Sequence, residues 1–183
     1  NSVPMNKKLK KLIVGFCAVF ALIMCFSCES KNELVKAEPD AAVPQEIVVH
    51  EDDFENSTTA WVPRGNAKTA ISTDTAQSGK QSLFVTGRTS TWNGPLLDMT
   101  GNLKSGSTYK ISLYVYYKDG LDSQPFGMSI QRDLSGGATY TNIASVTVSK
   151  GKWTKFEAEY SVPGDEPSAP IFLYVETPYK TDD

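Results

Sequence analysis

Short runs of strictly alternating apolar and polar residues, each closed by turn residues, fill the chain from Ile47 onward, and a chain so patterned has few folds open to it. Tyr109 to Tyr117 places Ile111, Leu113 and Val115 on one face and Ser112, Tyr114 and Tyr116 on the other. Phe126, Met128 and Ile130 share a face opposite Ser129 and Gln131, and Phe156, Ala158, Tyr160 and Val162 form another stripe. In Pro170 to Glu176, Ile171, Leu173 and Val175 point one way and Phe172, Tyr174 and Glu176 the other. A period of two is that of a strand with one buried face, and no stretch of useful length carries a helical period. Asp119-Gly120, Gly136-Gly137, Lys150-Gly151 and Pro163-Gly164 supply the turns between runs. About ten short strands at this spacing predict an all-β fold, an antiparallel two-sheet β-sandwich.

The segment before Ile47 is of another kind. Met5 to Lys11 carries four lysines, and Leu12 to Phe26 is a continuous apolar run of fifteen residues. That length is short for a membrane span and suits the apolar region of an export signal. Ser27-Cys28 at its end resembles a bacterial lipoprotein cleavage site, with Cys28 as the acylated residue, although Cys25 stands where a leucine is usual. A plain secretory signal is the alternative. Residues 1–28 are therefore read as flanking residues and signal peptide. Residues 29–46, polar, of mixed charge and containing Pro39 and Pro44, are read as a disordered tether, and 47–183 as the globular module. The reading places the protein outside the cell or on its surface, touching a membrane only through a lipid on Cys28.

Composition removes several function classes. All three cysteines lie in the signal segment, so the module has no disulfide and no thiol chemistry. His50 is the only histidine, which with no cysteine in the module argues against a zinc centre, and its place beside the tether argues against a Ser-His-Asp set. A net charge of −3 without a basic stripe gives no reason to expect nucleic acid.

Positive evidence for function comes from Val85 to Pro95. A strand-like start runs into a polar loop that holds Trp92 among Gly87, Asn93, Gly94 and Pro95. Loops lie on the surface, so this indole is not ordinary core, and an exposed rigid aromatic suits stacking on the apolar face of a pyranose. Tyr174 and Glu176, two residues apart on one strand face, offer an aromatic beside a hydroxyl-accepting carboxylate. On pattern alone a sheet-covering tyrosine and a solvated strand-end charge explain that pair equally well.

Ordered motifs break the tie. Trp61-Val62-Pro63-Arg64-Gly65-Asn66-Ala67, Ser78-Gly79-Lys80-Gln81-Ser82-Leu83, Val85 to Pro95, Tyr114 to Tyr117 and Leu173-Tyr174-Val175-Glu176-Thr177-Pro178 together resemble carbohydrate-binding module family 22, which binds xylan. The resemblance covers roughly residues 47–183. It implies a β-jelly roll with one further strand beyond Asp183, and a xylan cleft lined by an arginine, a tryptophan, two tyrosines and a glutamate. Matched motif by motif, these are Arg64, Trp92, Tyr140 (in Ala138 to Ile143), Tyr174 and Glu176. It also implies a structural Ca²⁺ away from the sugar, for which Asp53 and Glu55 in Glu51 to Glu55 offer hard oxygens; a merely acidic strand entry is the alternative. Arg88 shares the Trp92 loop but is expected to bond loop carbonyls. Gln131 is a minor extra candidate for a hydroxyl contact, while Trp61 and Trp153 are expected to be packed.

Hydrolysis of a glycoside needs two facing carboxyls. Glu157, Glu159 and Glu176 show no such arrangement, with the first two on one face of one strand. The expectation is a non-catalytic module that recognises xylan or xylo-oligosaccharides, cut from a longer xylanase-type protein whose catalytic domain lies C-terminal to it. A small jelly-roll glycosidase using Glu176, or an adhesion sandwich with no sugar site, are the alternatives.

Overall fold

The computed structural model describes residues 13–14 and 47–178. Apart from Ile13–Val14, the expected signal segment with Cys28 and the tether to residue 46 lie outside the described residues, as do residues 179–183 and the expected strand beyond them. The described strands are β1 (Ile13–Val14), β2 (Ile47–Val48), β3 (Trp61–Arg64), β4 (Lys68–Ser72), β5 (Ser82–Thr86), β6 (Gly94–Asp98), β7 (Thr108–Val115), β8 (Ser123–Leu134), β9 (Gly137–Ser149), β10 (Thr154–Ser161) and β11 (Ile171–Glu176). None of the described residues is helical, and every strand pairing among them is antiparallel.

Two sheets face each other. One has five strands in the order β3-β6-β11-β8-β9, the other has the order β10-β7-β1-β2, and β4–β5 forms a separate hairpin. β1 contributes only a two-residue pairing with Val48 and Ile47, plus Ile13 opposite Lys110. The alternation read from the sequence decides which side chains meet between the sheets. Ile171, Leu173 and Val175 of β11 join Met128 and Ile130 of β8 and Leu97 of β6 from one side. Tyr109 and Ile111 of β7 and Phe156 and Tyr160 of β10 come from the other. Met128 is fully buried, and Phe156, Ile130 and Met99 are 1% exposed. The stripe expected at Phe156, Ala158, Tyr160 and Val162 packs in this core. An apolar opening of about 280 Å³ reaches it between the hairpin and β7, lined by Leu83 and Val85 on one side and Ile111, Leu113 and Val115 on the other.

Register fixes what the outer face of the five-stranded sheet presents. Val62, Leu96, Tyr174, Ser129 and Asn142 stand in one row across β3, β6, β11, β8 and β9. Asp98, Phe172, Gln131 and Tyr140 form the row on one side, and Glu176, Gly127 and Ser145 the row on the other. Phe156→Ala is expected to lower unfolding stability by about 3–5 kcal/mol in a denaturant titration, since it empties the middle of the core. A loss under about 1 kcal/mol would mean that the two sheets do not meet there.

Candidate functional site

The cleft begins with a loop held from within. Between β5 and β6 the chain would be a slack surface connection, but Arg88 ties it to the sheet. Its Nε donates to the Asn93 carbonyl at 2.7 Å, and its Nη2 donates to the carbonyls of Thr91 and Thr177, each at 2.9 Å. Thr177 directly follows β11, so this one guanidinium couples the loop to the end of the central strand. Burial draws the Arg88 pKa below the ordinary arginine value, and the Glu176 charge partly offsets that. Asn93, 1% exposed, closes the loop, its Oδ1 accepting from Thr89 N at 2.9 Å, Thr89 Oγ1 at 3.1 Å and Ser90 N at 3.0 Å. Trp92, beside it, is turned outward and is 48% exposed. The expected structural role of Arg88 is the one observed.

Arg64 ends β3 and reaches across this loop. Its Nη1 donates to the Trp92 carbonyl. The guanidinium carbon lies 3.9 Å from the Tyr174 ring centroid, 5.3 Å from that of Trp92 and 5.7 Å from that of Tyr140. A planar, weakly hydrated cation is well suited to such stacking, worth about 0.5–2 kcal/mol per ring according to its exposure. Tyr174 is only 3% exposed, so its ring is the bed on which Arg64 rests rather than an open stacking surface. Burial raises its phenol pKa, with the Glu176 charge acting in the same direction, while a hydrogen bond with Ser129 and the Arg64 charge act against. The free aromatic surface is at Trp92 and at Tyr140, which is 59% exposed. Glu176 shares the outer face of β11 with Tyr174, is half-buried, and accepts a hydrogen bond from Ser129 Oγ at 3.2 Å. Arg64, Trp92, Tyr140 and Tyr174 therefore meet, with the cation near two exposed rings, and Glu176 stands on the same outer face of the sheet.

The other candidates are placed elsewhere or used internally. Trp61 packs against the core, and Trp153 lies 5.3 Å from Tyr116, with interplanar angle 33°, beside the opposite sheet. Tyr114 pairs with Lys155 in that sheet, away from the cleft. Gln131 directs its Nε2 to Asp133 Oδ1 at 2.8 Å. Glu157 and Glu159 are on β10, again in the opposite sheet, and Glu157 pairs with Lys155.

Asp53 and Glu55, the expected calcium oxygens, both accept backbone N–H groups. Glu55 Oε1 accepts two backbone N–H groups, those of Lys80 and Gln81, both at 2.9 Å, and Asp53 Oδ1 accepts from Glu55 N at 3.1 Å. Among the described residues no group of three or more His, Cys, Asp or Glu side chains is arranged to hold a metal ion. The acidic stretch is used to fasten the approach to β3 against the Gly79–Gln81 turn. Sequence reasoning passed over Asn93, the buried clamp behind Trp92, and the polar trio Ser129, Asn142 and Ser145. Asn93 was visible as a turn residue; the trio depends on an irregularity of β9 that no local pattern announces.

Known proteins match this chain. A family model described as a carbohydrate binding domain matches residues 47–181. Endo-1,4-beta-xylanase A of Thermotoga maritima is 33% identical over 189 residues, covering 97% of this chain and 18% of that protein. The CBM22-2 xylan-binding domain of Paenibacillus barcinonensis Xyn10C has TM-score 0.68 at 29% identity, over 74% of this chain and 87% of that one. The C-terminal family 22 carbohydrate binding module of Clostridium thermocellum Xyn10B has TM-score 0.64 at 31% identity, over 73% and 84%. The fold and cleft are those of a carbohydrate-binding β-sandwich module. Within that class the chain belongs to carbohydrate-binding module family 22, as the ordered motifs implied. It spans less than a fifth of the curated relatives, 18% of the Thermotoga maritima protein and 13% of its Thermotoga neapolitana counterpart.

Gly65 is the point at which the Trp92 orientation is most exposed to change. Its φ is +67°, and an added Cβ would lie 2.6 Å from Trp92 Cζ3 and closer still to Asn93 Nδ2. Gly65→Ala is expected to displace the indole, seen as a shifted tryptophan emission maximum, and to lower stability by about 1–3 kcal/mol. An unchanged spectrum and melting temperature would show that the ring does not rest on this glycine.

Proposed function

We propose that this cleft binds xylan and xylo-oligosaccharides, and that the chain serves as the non-catalytic binding module of a longer secreted or cell-surface xylan-degrading protein. The observation that carries the reading is the Arg64 guanidinium set between two exposed rings, Trp92 and Tyr140, with the Glu176 carboxylate on the same face. Rings present flat apolar surface to the C–H faces of a pyranose, while the cation and carboxylate donate to and accept from its hydroxyls. A face open at the sheet surface admits a chain along its length and has no need to enclose an end. Relatives described as endo-1,4-beta-xylanases and as xylan-binding domains favour a pentose polymer. Attachment through Cys28 and a catalytic domain elsewhere in the same protein complete the proposal.

Glu157 and Glu159 belong to the opposite sheet. Titration calorimetry with xylohexaose tests the reading. Trp92→Ala is expected to cost on the order of 2 kcal/mol or more in a folded protein, as removal of an aromatic hot spot does. Glu176→Gln is expected to weaken binding in part, and neither form should release reducing sugar from xylan. Undiminished affinity after loss of Trp92, or xylan cleavage abolished by Glu176→Gln, would overturn it, the second outcome in favour of a glycosidase.

A further inference from the structure

The pairing of β8 with β9 slips by one residue in its middle. Met128 faces Ala144, yet Ser129 faces Asn142, so Ile143 is an extra residue on β9. Such a bulge changes which face the following side chains occupy. Strict alternation from Tyr140 and Asn142 would put Ala144 on the cleft face and turn Ser145 to the core. With the bulge, Ile143 and Ala144 both pack against the core, and Ser145 comes out beside Asn142. Ser145 Oγ donates to Asn142 Oδ1 at 3.3 Å, Asn142 Nδ2 donates to Ser129 Oγ at 3.4 Å, and Ser129 Oγ donates to Glu176 Oε1 at 3.2 Å.

The floor beneath this relay is bare. Gly127 lies in register between Glu176 and Ser145. A Cβ added there would stand 2.9 Å from Asn142 Nδ2 and 3.6 Å from Glu176 Cγ, so the lack of a side chain is what leaves room between the carboxylate and the amide. Both Asn142 and Ser145 are exposed, and the relay's bonds are long for their type. The Ser145–Asn142 bond, long and exposed, is readily exchanged for bonds to a ligand.

We infer that the β9 bulge builds a second hydroxyl-binding patch, Asn142 with Ser145, which contacts the hydroxyls of a pyranose lying over Gly127 between Glu176 and β9. The inference rests on the reading that the cleft takes xylo-oligosaccharides and adds to it a contact beyond Arg64, Trp92, Tyr140, Tyr174 and Glu176. The chemistry suits a vicinal diol. An amide offers two N–H donors, one of them spent on Ser129, and a carbonyl oxygen; a serine hydroxyl donates and accepts; the carboxylate only accepts. Two neighbouring hydroxyls, each both donor and acceptor, satisfy all three groups together, whereas an apolar or singly charged ligand leaves at least one unmatched.

Calorimetry with xylohexaose, paired with the ¹H–¹⁵N spectrum of the Asn142 side-chain amide, is the test. Asn142→Ala should weaken binding about tenfold and Ser145→Ala by less, with melting temperatures held, and the wild-type Asn142 amide signals should move as xylohexaose is added. The Asn142→Ala loss should persist in a Glu176→Gln background, because a direct contact does not act through the carboxylate. A loss that vanishes in that background would reduce Asn142 to a support for Glu176 and overturn the contact. So would wild-type affinity in Asn142→Ala with unmoved amide signals, while Trp92→Ala still weakens binding. Should Asn142→Ala fail to fold, Ser145→Ala and the wild-type amide signals decide by the same criteria. Wild-type protein that does not bind xylohexaose at all would instead overturn the proposed function, and this inference with it.

Discussion

Antiparallel register across β6, β11 and β8 is the constraint on which the cleft depends. Leu97, Leu173 and Ile130 stand opposite one another on the inner face, where burial of apolar area holds them at about 25 cal/mol per Å² removed from water. Because side chains alternate with a period of two, fixing those three also fixes Leu96, Tyr174 and Ser129 on the outer face. A slip of one residue would exchange the two sets, placing Glu176 in the core at a cost no isolated carboxylate repays. The site is thus specified by residues that never touch it. Positioning contacts on strands rather than on loops gives the Glu176 end of the cleft the precision of the core, and only Trp92 has to be held by other means.

Those other means are two guanidinium groups with opposite surroundings. Arg88 is turned inward and spends its donors on three carbonyls, two from the Trp92 loop and one just after β11. Arg64 is turned outward and lies on the Tyr174 ring with one donor on the Trp92 carbonyl. The first fixes where the loop sits relative to the sheet, the second fixes the cation relative to the loop. Their separate tasks explain why one of two arginines in neighbouring motifs belongs to the binding face and the other to its scaffold. Lysine substitutes for neither, since a point-like ammonium has no plane to stack and no fork to span two carbonyls.

Period-two alternation makes the sandwich legible in the sequence, because strand, core face and outer face all follow from one pattern. The Trp92 loop was legible for a different reason: an indole among turn residues has no place in a core. Tyr174 was less so. Its place on the outer face follows from alternation, but whether such a ring is open or covered depends on what the neighbouring strand lays over it, here Arg64 from β3 by way of β6. Asp53 and Glu55 carry oxygens of the type calcium takes, and Glu55 also accepts backbone N–H groups more than twenty residues away, partners that tertiary contact alone sets. Residue type was readable; its employment was not.

The bulge in β9 is the same lesson in a sharper form. In Ala138 to Ser149 the apolar Ala144, Val146 and Val148 alternate with polar residues while Ile143 adjoins Ala144, and the local pattern alone does not say that both face inward. What selects the bulge is the partner strand. Met128 and Ile130 demand apolar cover from β9, while Ser129, the residue between them, faces Glu176 and prefers a polar neighbour. An unbroken register beyond Asn142 would set Ala144 against Glu176 on the outer face and bury the Ser145 hydroxyl against the core, leaving a polar group without a partner at a cost of about 1–3 kcal/mol. One extra residue relieves both conflicts at once, at the expense of one unpaired backbone position on an edge strand that is open to water. The irregularity is therefore the arrangement in which core packing and cleft polarity are satisfied by a single chain, and the polar end of the cleft follows from it.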